Sequence, residues 1–381
     1  MKPTLNCLSL IGALAGATLI GMGSAAGAGK PDVIPITSFD VGNNVYAEVT
    51  AISDAISGKF GTKVRVIPLG NEVVRALALK TGKAKFWASC SGYYTTFEGI
   101  GDFAAKTWGP QPLRMLILAN REANFSPAVP KDSPINTIAD LKGKRVGWVI
   151  GDAGINMQTE AYLAFGGLTL NDVKLVEFPG YNPSVLGLIA GHADMVMASN
   201  SSPNTLQVAA SPVGLKWIPV PGANTAGWAK LQKMAPFVGP TTITRGPGVD
   251  DGKAVEVGGY PCPTVVTLAQ EDVDTVYWLT KMIVESWDGY STAIKSAPFW
   301  QIDTAIKSQF AVPYHEGAIK YFKETGKWTD GLETHQQALV KREQVLRTAF
   351  TKAKVNFKGD DSAFAQYWEQ ERAKALAEAG I

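Results

Sequence analysis

Short apolar, β-branched runs alternate with amphipathic stretches of helical period along most of this chain, and the joints between them are polar and Gly-containing. The clearest joint lies at residues 33–57. Val33 to Phe39 (VIPITSF) suits a buried strand. Asp40-Val41-Gly42-Asn43-Asn44 then supplies turn residues and cap acceptors. From there Val45, Val49, Ile52 and Ile56 recur at the spacing of a helix with one apolar face. Such a joint leaves first-turn N–H groups aimed beyond the strand's carboxyl end, where an anion such as a carboxylate can bind. It is equally the ordinary first turn of any α/β fold, and these residues alone leave both readings open.

The pattern recurs. Lys63 to Pro68 predicts a second strand, and Glu72 to Lys80 a short helix with Asn71 as N-cap and Glu72 favourable in its first turn. Lys85 to Ala88 predicts a third strand, ending in Ser89-Cys90-Ser91-Gly92-Tyr93-Tyr94. Leu113 to Ala119 is fully apolar, as expected inside a parallel sheet. Beyond Pro127, Pro130 and Pro134 the cycle restarts: strand Val146 to Ile150, loop Gly151-Asp152-Ala153-Gly154, then helix Ile155 to Phe165 stopped by Gly166-Gly167. Strands at 173–178 and 194–198 follow, with a helix from Asn182-Pro183 between them and Ser199 to Asn204 leading into another. Residues 211–262 are Pro- and Gly-rich with short extended pieces. After one more strand at 264–268 the chain turns mostly helical, over 271–287, 317–325, 332–355 and 362–379. Recurring βα joints in two blocks predict an α/β fold of two doubly wound lobes rather than a barrel.

The first 28 residues stand apart. Lys2 precedes an apolar run from Leu5 to Ile20, and Ala26-Gly27-Ala28 fits a small-residue cleavage site, so 1–28 is expected to be a cleaved secretory signal and the protein periplasmic. The balance of 36 Lys and Arg against 34 Asp and Glu gives no basic excess for nucleic acid. Beyond Cys7, Cys90 and Cys262 remain; an oxidising compartment permits their pairing, but the sequence leaves it open.

Four segments carry a family resemblance. Asn136-Thr137-Ile138-Ala139-Asp140-Leu141-Lys142-Gly143-Lys144-Arg145-Val146 resembles a segment common to extracytoplasmic solute-binding proteins of the type II periplasmic fold. Gly42-Asn43-Asn44-Val45-Tyr46 resembles the G-T-G-G-x-Y-Y opening of the TAXI family, solute receptors of tripartite ATP-independent periplasmic (TRAP) transporters. Val312 to Phe322 resembles that family's I-P-x-H-P-G-A-x-x-Y-Y segment, and Tyr260 to Lys281 its V-P-x-x-L-V…V-Y-x-L-T-K stretch. Asn43, Asn44, Glu316 and Trp87-Ala88-Ser89-Cys90 depart from the family's usual residues, so its better-known solutes do not carry over. The resemblance implies lobe I from 29–124 with 263–381, lobe II from 125–262, a small solute bearing a carboxylate held between them, and small and large TRAP membrane subunits as partners.

Mapped onto that fold, lobe I offers Asn43, Asn44, Tyr46, Gly70, Asn71, Ser89, Cys90, Ser91 and Tyr93 to the cleft, and lobe II offers Gly154, Ile155, Asn156, Gln158, Ser199, Asn200 and Ser201. Neutral donors and aromatic surface suit a small polar solute held by oriented dipoles. Each Asn and Ser here is also an ordinary cap or turn residue. Arg75, Arg114 and Arg121 are expected on solvated faces, which leaves the charge partner unassigned. A Cys90 nucleophile with His192 or His315 as base would make a hydrolase, but the spacing matches no catalytic pattern, and the chain is expected not to be an enzyme. No metal-ligand spacing and no cofactor motif is present; Asp250-Asp251-Gly252 is turn chemistry. A periplasmic subunit reporting to a membrane sensor is the remaining alternative.

Overall fold

The computed structural model describes residues 29–119, 122–249, 253–306 and 310–381. The expected signal segment, Arg121 and the Asp250-Asp251-Gly252 turn lie outside these residues.

Among the described residues twelve strands build the sheets: β1 (Val33–Ser38), β2 (Lys63–Pro68), β3 (Phe86–Ser89), β4 (Leu113–Leu118), β5 (Glu122–Val129), β6 (Arg145–Val149), β7 (Lys174–Phe178), β8 (Val196–Ser199), β9 (Lys216–Trp217), β10 (Gly239–Ile243), β11 (Val255–Pro261) and β12 (Thr264–Leu268). The helices are α1 (Asn44–Phe60), α2 (Glu72–Lys80), α3 (Gly92–Glu98), α4 (Ala153–Phe165), α5 (Tyr181–Leu186), α6 (Pro203–Ala210), α7 (Thr225–Met234), α8 (Val273–Glu285), α9 (Trp287–Tyr290), α10 (Ile302–Ala305), α11 (Glu316–Glu324), α12 (Asp330–Asn356) and α13 (Phe364–Glu378).

The fold is mixed α/β and two-lobed. The first sheet runs β2-β1-β3-β12-β4. β1 pairs in parallel with β2 and β3, so its βα joints all open at one edge. β12 returns antiparallel between β3 and β4. The apolar strand β4 therefore lies at the end of a mixed sheet and not inside a parallel one, contrary to the expectation from its composition. Its apolar sequence has another cause: helices and the C-terminal segments cover it, and every β4 side chain except Arg114 is buried. The second sheet, β10-β11-β5-β8, is antiparallel at each contact, with β9 also on β5 and the parallel pair β6-β7 beside it. Residues 211–262 hold more order than their Pro and Gly content implied. Trp228 and Leu231 are buried on α7, where Trp228 meets Phe165 edge-on and donates from Nε1 to the Pro221 carbonyl, 3.0 Å away.

The C-terminal cover follows from spacing. Leu332, Gln336, Leu339, Glu343, Leu346, Phe350 and Ala353 are the buried positions of α12, at alternating intervals of four and three. Gln336 bonds both backbone groups of Tyr314, and Trp368 on α13 donates to the Gly99 carbonyl. These helices thus pin the start of α11 and the end of α3.

The chain passes between the sheets twice, after β4 and after β11. The second passage carries a disulfide: Cys90 and Cys262 are joined, with Cα atoms 5.0 Å apart across 172 residues of sequence. A crosslink over so long a loop restricts the unfolded chain strongly. The Cys90→Ser/Cys262→Ser double variant is expected to lose about 2–5 kcal/mol of unfolding free energy, read as a fall in the urea midpoint with an unchanged circular dichroism spectrum in buffer.

Candidate functional site

The βα joints of the first sheet and those of the second lobe face one another, and a cavity lies between them. It is lined from one side by Phe39, Asn43, Asn44, Val45, Glu72, Cys90 and Ser91, and from the other by Phe125, Asp152, Ile155, Tyr181, Ser199, Tyr260 and Cys262. Its volume is about 40 Å³. A water needs roughly 10–15 Å³ measured this way, so this conformation has room for a few waters and no more.

Local sequence explains the polar lining. Asn43 caps α1, its Oδ1 accepting from the Val45 N–H at 2.8 Å. Asn44 points across the seam, its Nδ2 3.4 Å from Ser201 Oγ, which is itself 3.1 Å from Ser199 Oγ. The buried Tyr260 hydroxyl accepts from Gln158 Nε2 at 3.4 Å. The aromatic part is one cluster, with the Phe125 ring 6.0 Å from Tyr181 and 6.4 Å from Tyr260.

At one end of the cavity three charged side chains meet, all buried: Glu72, Arg75 and Asp152. Arg75 sits 3.5 Å from Asp152 across the seam, donates to the Leu69 carbonyl at 2.8 Å and lies over the Phe39 ring at 4.2 Å. Glu72 accepts from the Gly154 N–H at 2.8 Å, so its carboxyl occupies the positive end of α4, the kind of anion seat such a joint offers. Gly92 and Gly154 are required there: a Cβ on Gly92 would collide with the Glu72 carboxyl, and one on Gly154 with Glu72 and Ser91 Oγ. Backbone joins the same seam, Val73 N–H donating to the Gly151 carbonyl at 3.1 Å.

Glu72 and Asp152 are buried beside one another, and two ionised carboxylates there repel, so the protonated form of one of them is favoured. Burial, and then the neighbouring Asp152 charge, push the Glu72 carboxyl well above its ordinary range. Burial also raises Asp152, opposed by Arg75. With the proton on Glu72, the buried charges reduce to the pair Arg75 and Asp152.

Of the residues expected at the cleft, Asn43, Asn44, Cys90, Ser91, Ile155 and Ser199 line the cavity. Ser201 stands behind Asn44 and Ser199, Gly154 holds Glu72, and Asn71 caps α2 through Val74 N–H while closely facing Gly151. Gly70 lies near Asp40 and, across the seam, Gly180. Others serve structure. Ser89 accepts from Tyr93 N–H, Asn156 turns back to bond both backbone groups of Val149, and Gln158 donates to the Gly154 carbonyl. Asn200 is tied to β5 through Asn124. Tyr46 is half-buried on α1 outside the lining, and Tyr93 faces a different cavity.

Two arginine expectations are corrected. Arg75 is fully buried, not solvated, because carboxylates surround the inner face of α2. Arg114 is mostly buried and paired with Glu343 of α12. Sequence reading missed Glu72 and Asp152 as site residues because a first-turn Glu and a loop Asp are ordinary caps. The one available signal was their place at βα joints, after β2 and after β6. The aromatic residues Phe39, Phe125, Tyr181 and Tyr260 carried no such signal. The nucleophile reading has no thiolate, since Cys90 is disulfide-bonded, and His315 caps α11 through Gly317 N–H. Among the described residues no group of three or more His, Cys, Asp or Glu is placed to hold a metal.

The cavity at the seam of the two lobes is thus mostly apolar and aromatic, with a few amide, hydroxyl and carboxyl groups facing it. The profile of the NMT1-like family matches residues 40–326, and the chain belongs to that family. Among solved structures it is similar to the alkanesulfonate-binding protein SsuA from Xanthomonas axonopodis pv. citri bound to MOPS (12% identity, 87% of this chain and 96% of that one, TM-score 0.44). It is also similar to the periplasmic aliphatic sulphonate binding protein SsuA from Escherichia coli (13%, 78% and 88%, 0.39) and to the substrate binding protein of an amino acid ABC transporter (12%, 70% and 96%, 0.41).

The clasp makes a signed prediction. A carboxyl whose value rises on folding contributes stability in acid and loses it as pH climbs through the raised value. Glu72→Gln imitates the protonated form, keeping an acceptor for Gly154 without the carboxylate charge beside Asp152. Its melting temperature relative to wild type should be lowest near the ordinary carboxyl value, about pH 4, and should rise by about 2–4 °C as pH climbs to mildly alkaline buffer; a pH-independent difference contradicts a protonated Glu72. Arg75→Met strands Asp152 and should cost about 3–5 kcal/mol, read in urea unfolding.

Proposed function

We propose that the protein is an extracytoplasmic solute receptor of a TAXI-type TRAP transporter, with lobe I formed by 29–124 and 263–381 and lobe II by 125–262. The carrying observation is that both lobes line one cavity, with Asn44 and Ser201 meeting across the seam. The sheet memberships support the lobe boundaries, since the chain passes between sheets after β4 and after β11. The small cavity means that solute enters when the lobes part and shifts an open–closed equilibrium by bridging them. The closed form is what membrane subunits would engage. Export through a cleaved segment 1–28 places it in the periplasm. Among the described residues no helix is long and apolar enough to cross a membrane.

The lining narrows the solute. Its carboxyl residues, Glu72 and the Arg75-paired Asp152, stand beside Phe39, Phe125, Tyr181 and Tyr260, and it is the aromatic faces that attract an ammonium group. Neutral donors at Asn44, Ser91 and Ser199 suit a carboxylate. An amino-acid-like zwitterion satisfies both halves better than a simple organic acid.

Thermal shift against panels of amino acids, keto acids and dicarboxylates is the test. Stabilisation that grows with amino acid concentration, and that Asn44→Ala weakens about tenfold with unchanged melting temperature of the free protein, supports the reading. Stabilisation by dicarboxylates alone, or equal affinity in Asn44→Ala, overturns the solute class or the site respectively.

A further inference from the structure

A second and much larger cavity opens on the other side of Tyr260. Its volume is about 870 Å³, within the range of roughly 300–1,000 Å³ usual for small-molecule sites. α3, α12 and α13 wall it on one side, and the end of α7 with the segment into β10 on the other.

Its chemistry is distinct from that of the seam. Glu98 is fully buried and receives two guanidinium groups: Arg342 donates to both its oxygens at 2.6 and 2.9 Å, and Arg372 donates to one of them. Two cations on one carboxylate leave an excess positive charge in a largely desolvated place. The Nε of Arg372 is buried without a hydrogen-bond partner. An unpaired buried donor is costly, and the guanidinium can turn to pair it with an incoming anion. Lys233 on the exposed rim adds a further cation, while Glu98 is the one acid among the described lining residues. Beside the arginines stands a flat apolar wall. Phe237 meets Tyr94 and Tyr260 edge-on, each at 5.2 Å between ring centres.

We propose that this cavity is a second ligand site, which takes a small molecule with an anionic head, carboxylate or sulfonate, on a flat aromatic body. The head joins Arg372 and Arg342, and the body packs on Phe237 and Tyr94. Because Tyr260 lines both cavities, the ligand contacts the wall of the interlobe seam as well. The site stands on its own geometry and does not depend on the receptor reading.

The probe is 8-anilinonaphthalene-1-sulfonate, titrated by fluorescence into the folded protein. Saturable binding at one site per chain is expected, weakening as salt rises. Arg372→Gln should reduce affinity about tenfold or more, the loss of a charge-assisted hydrogen bond. Phe237→Ala, half-buried at the rim and outside the arginine cluster, should reduce it similarly if Arg372→Gln fails to fold. Lys341→Ala removes a charge from the same helix outside this lining and should leave affinity unchanged. Absent or non-saturating binding, or equal affinity in Phe237→Ala and wild type, overturns the proposal.

Discussion

The seam between the lobes depends on where one proton sits. Three ionisable side chains, Glu72, Arg75 and Asp152, are buried together at the edge of the cavity. Three full charges there would leave a net negative charge in a low-dielectric setting, which burial strongly disfavours. Protonated Glu72 resolves this. It accepts from the start of α4 and leaves a neutral ion pair that spans the seam. The glycines at 92 and 154 exist in this arrangement to let that carboxyl in.

The same three residues shape what the seam can bind. In a bare strand–loop–helix joint the helix start would favour a solute anion. Here Glu72, a residue of the opposite lobe, already occupies that position on α4. The cavity therefore offers carboxyls and aromatic rings at one end and neutral amide and hydroxyl groups at the other. Anything bound there must compete with, or sit beside, a contact that the protein makes with itself. On the receptor reading, lobe closure without solute is cheap, and affinity reflects the difference between two closed arrangements rather than closure against an empty cleft.

Much of the scaffold was legible because its signals are local. The strand at 63–68, the helix at 72–80 and the strand at 264–268 have the bounds that their pattern and caps predict. Asn43, Asn71 and Asp152 cap helices as such residues do. Strand direction was not legible in β4, because apolar composition reports burial and says nothing of whether the neighbour runs parallel. The order within 211–262 was hidden for a similar reason: α7 is held by Trp228 and Leu231 packing, against a background of Pro and Gly. At the site, Arg75 looked like a surface residue because its partner Asp152 lies 77 positions away. Long-range charge pairing leaves no periodic trace. The Cys90–Cys262 bond was open in the sequence for the same reason.

The most direct test of the clasp is a distance between the lobes. Spin labels at the exposed positions Lys63 on β2 and Lys174 on β7 report it by pulsed electron paramagnetic resonance. A single narrow distance in the wild-type protein, spreading to longer values in Arg75→Met, is the predicted result. The same narrow distribution in both proteins would show that Glu72, Arg75 and Asp152 do not hold the lobes together.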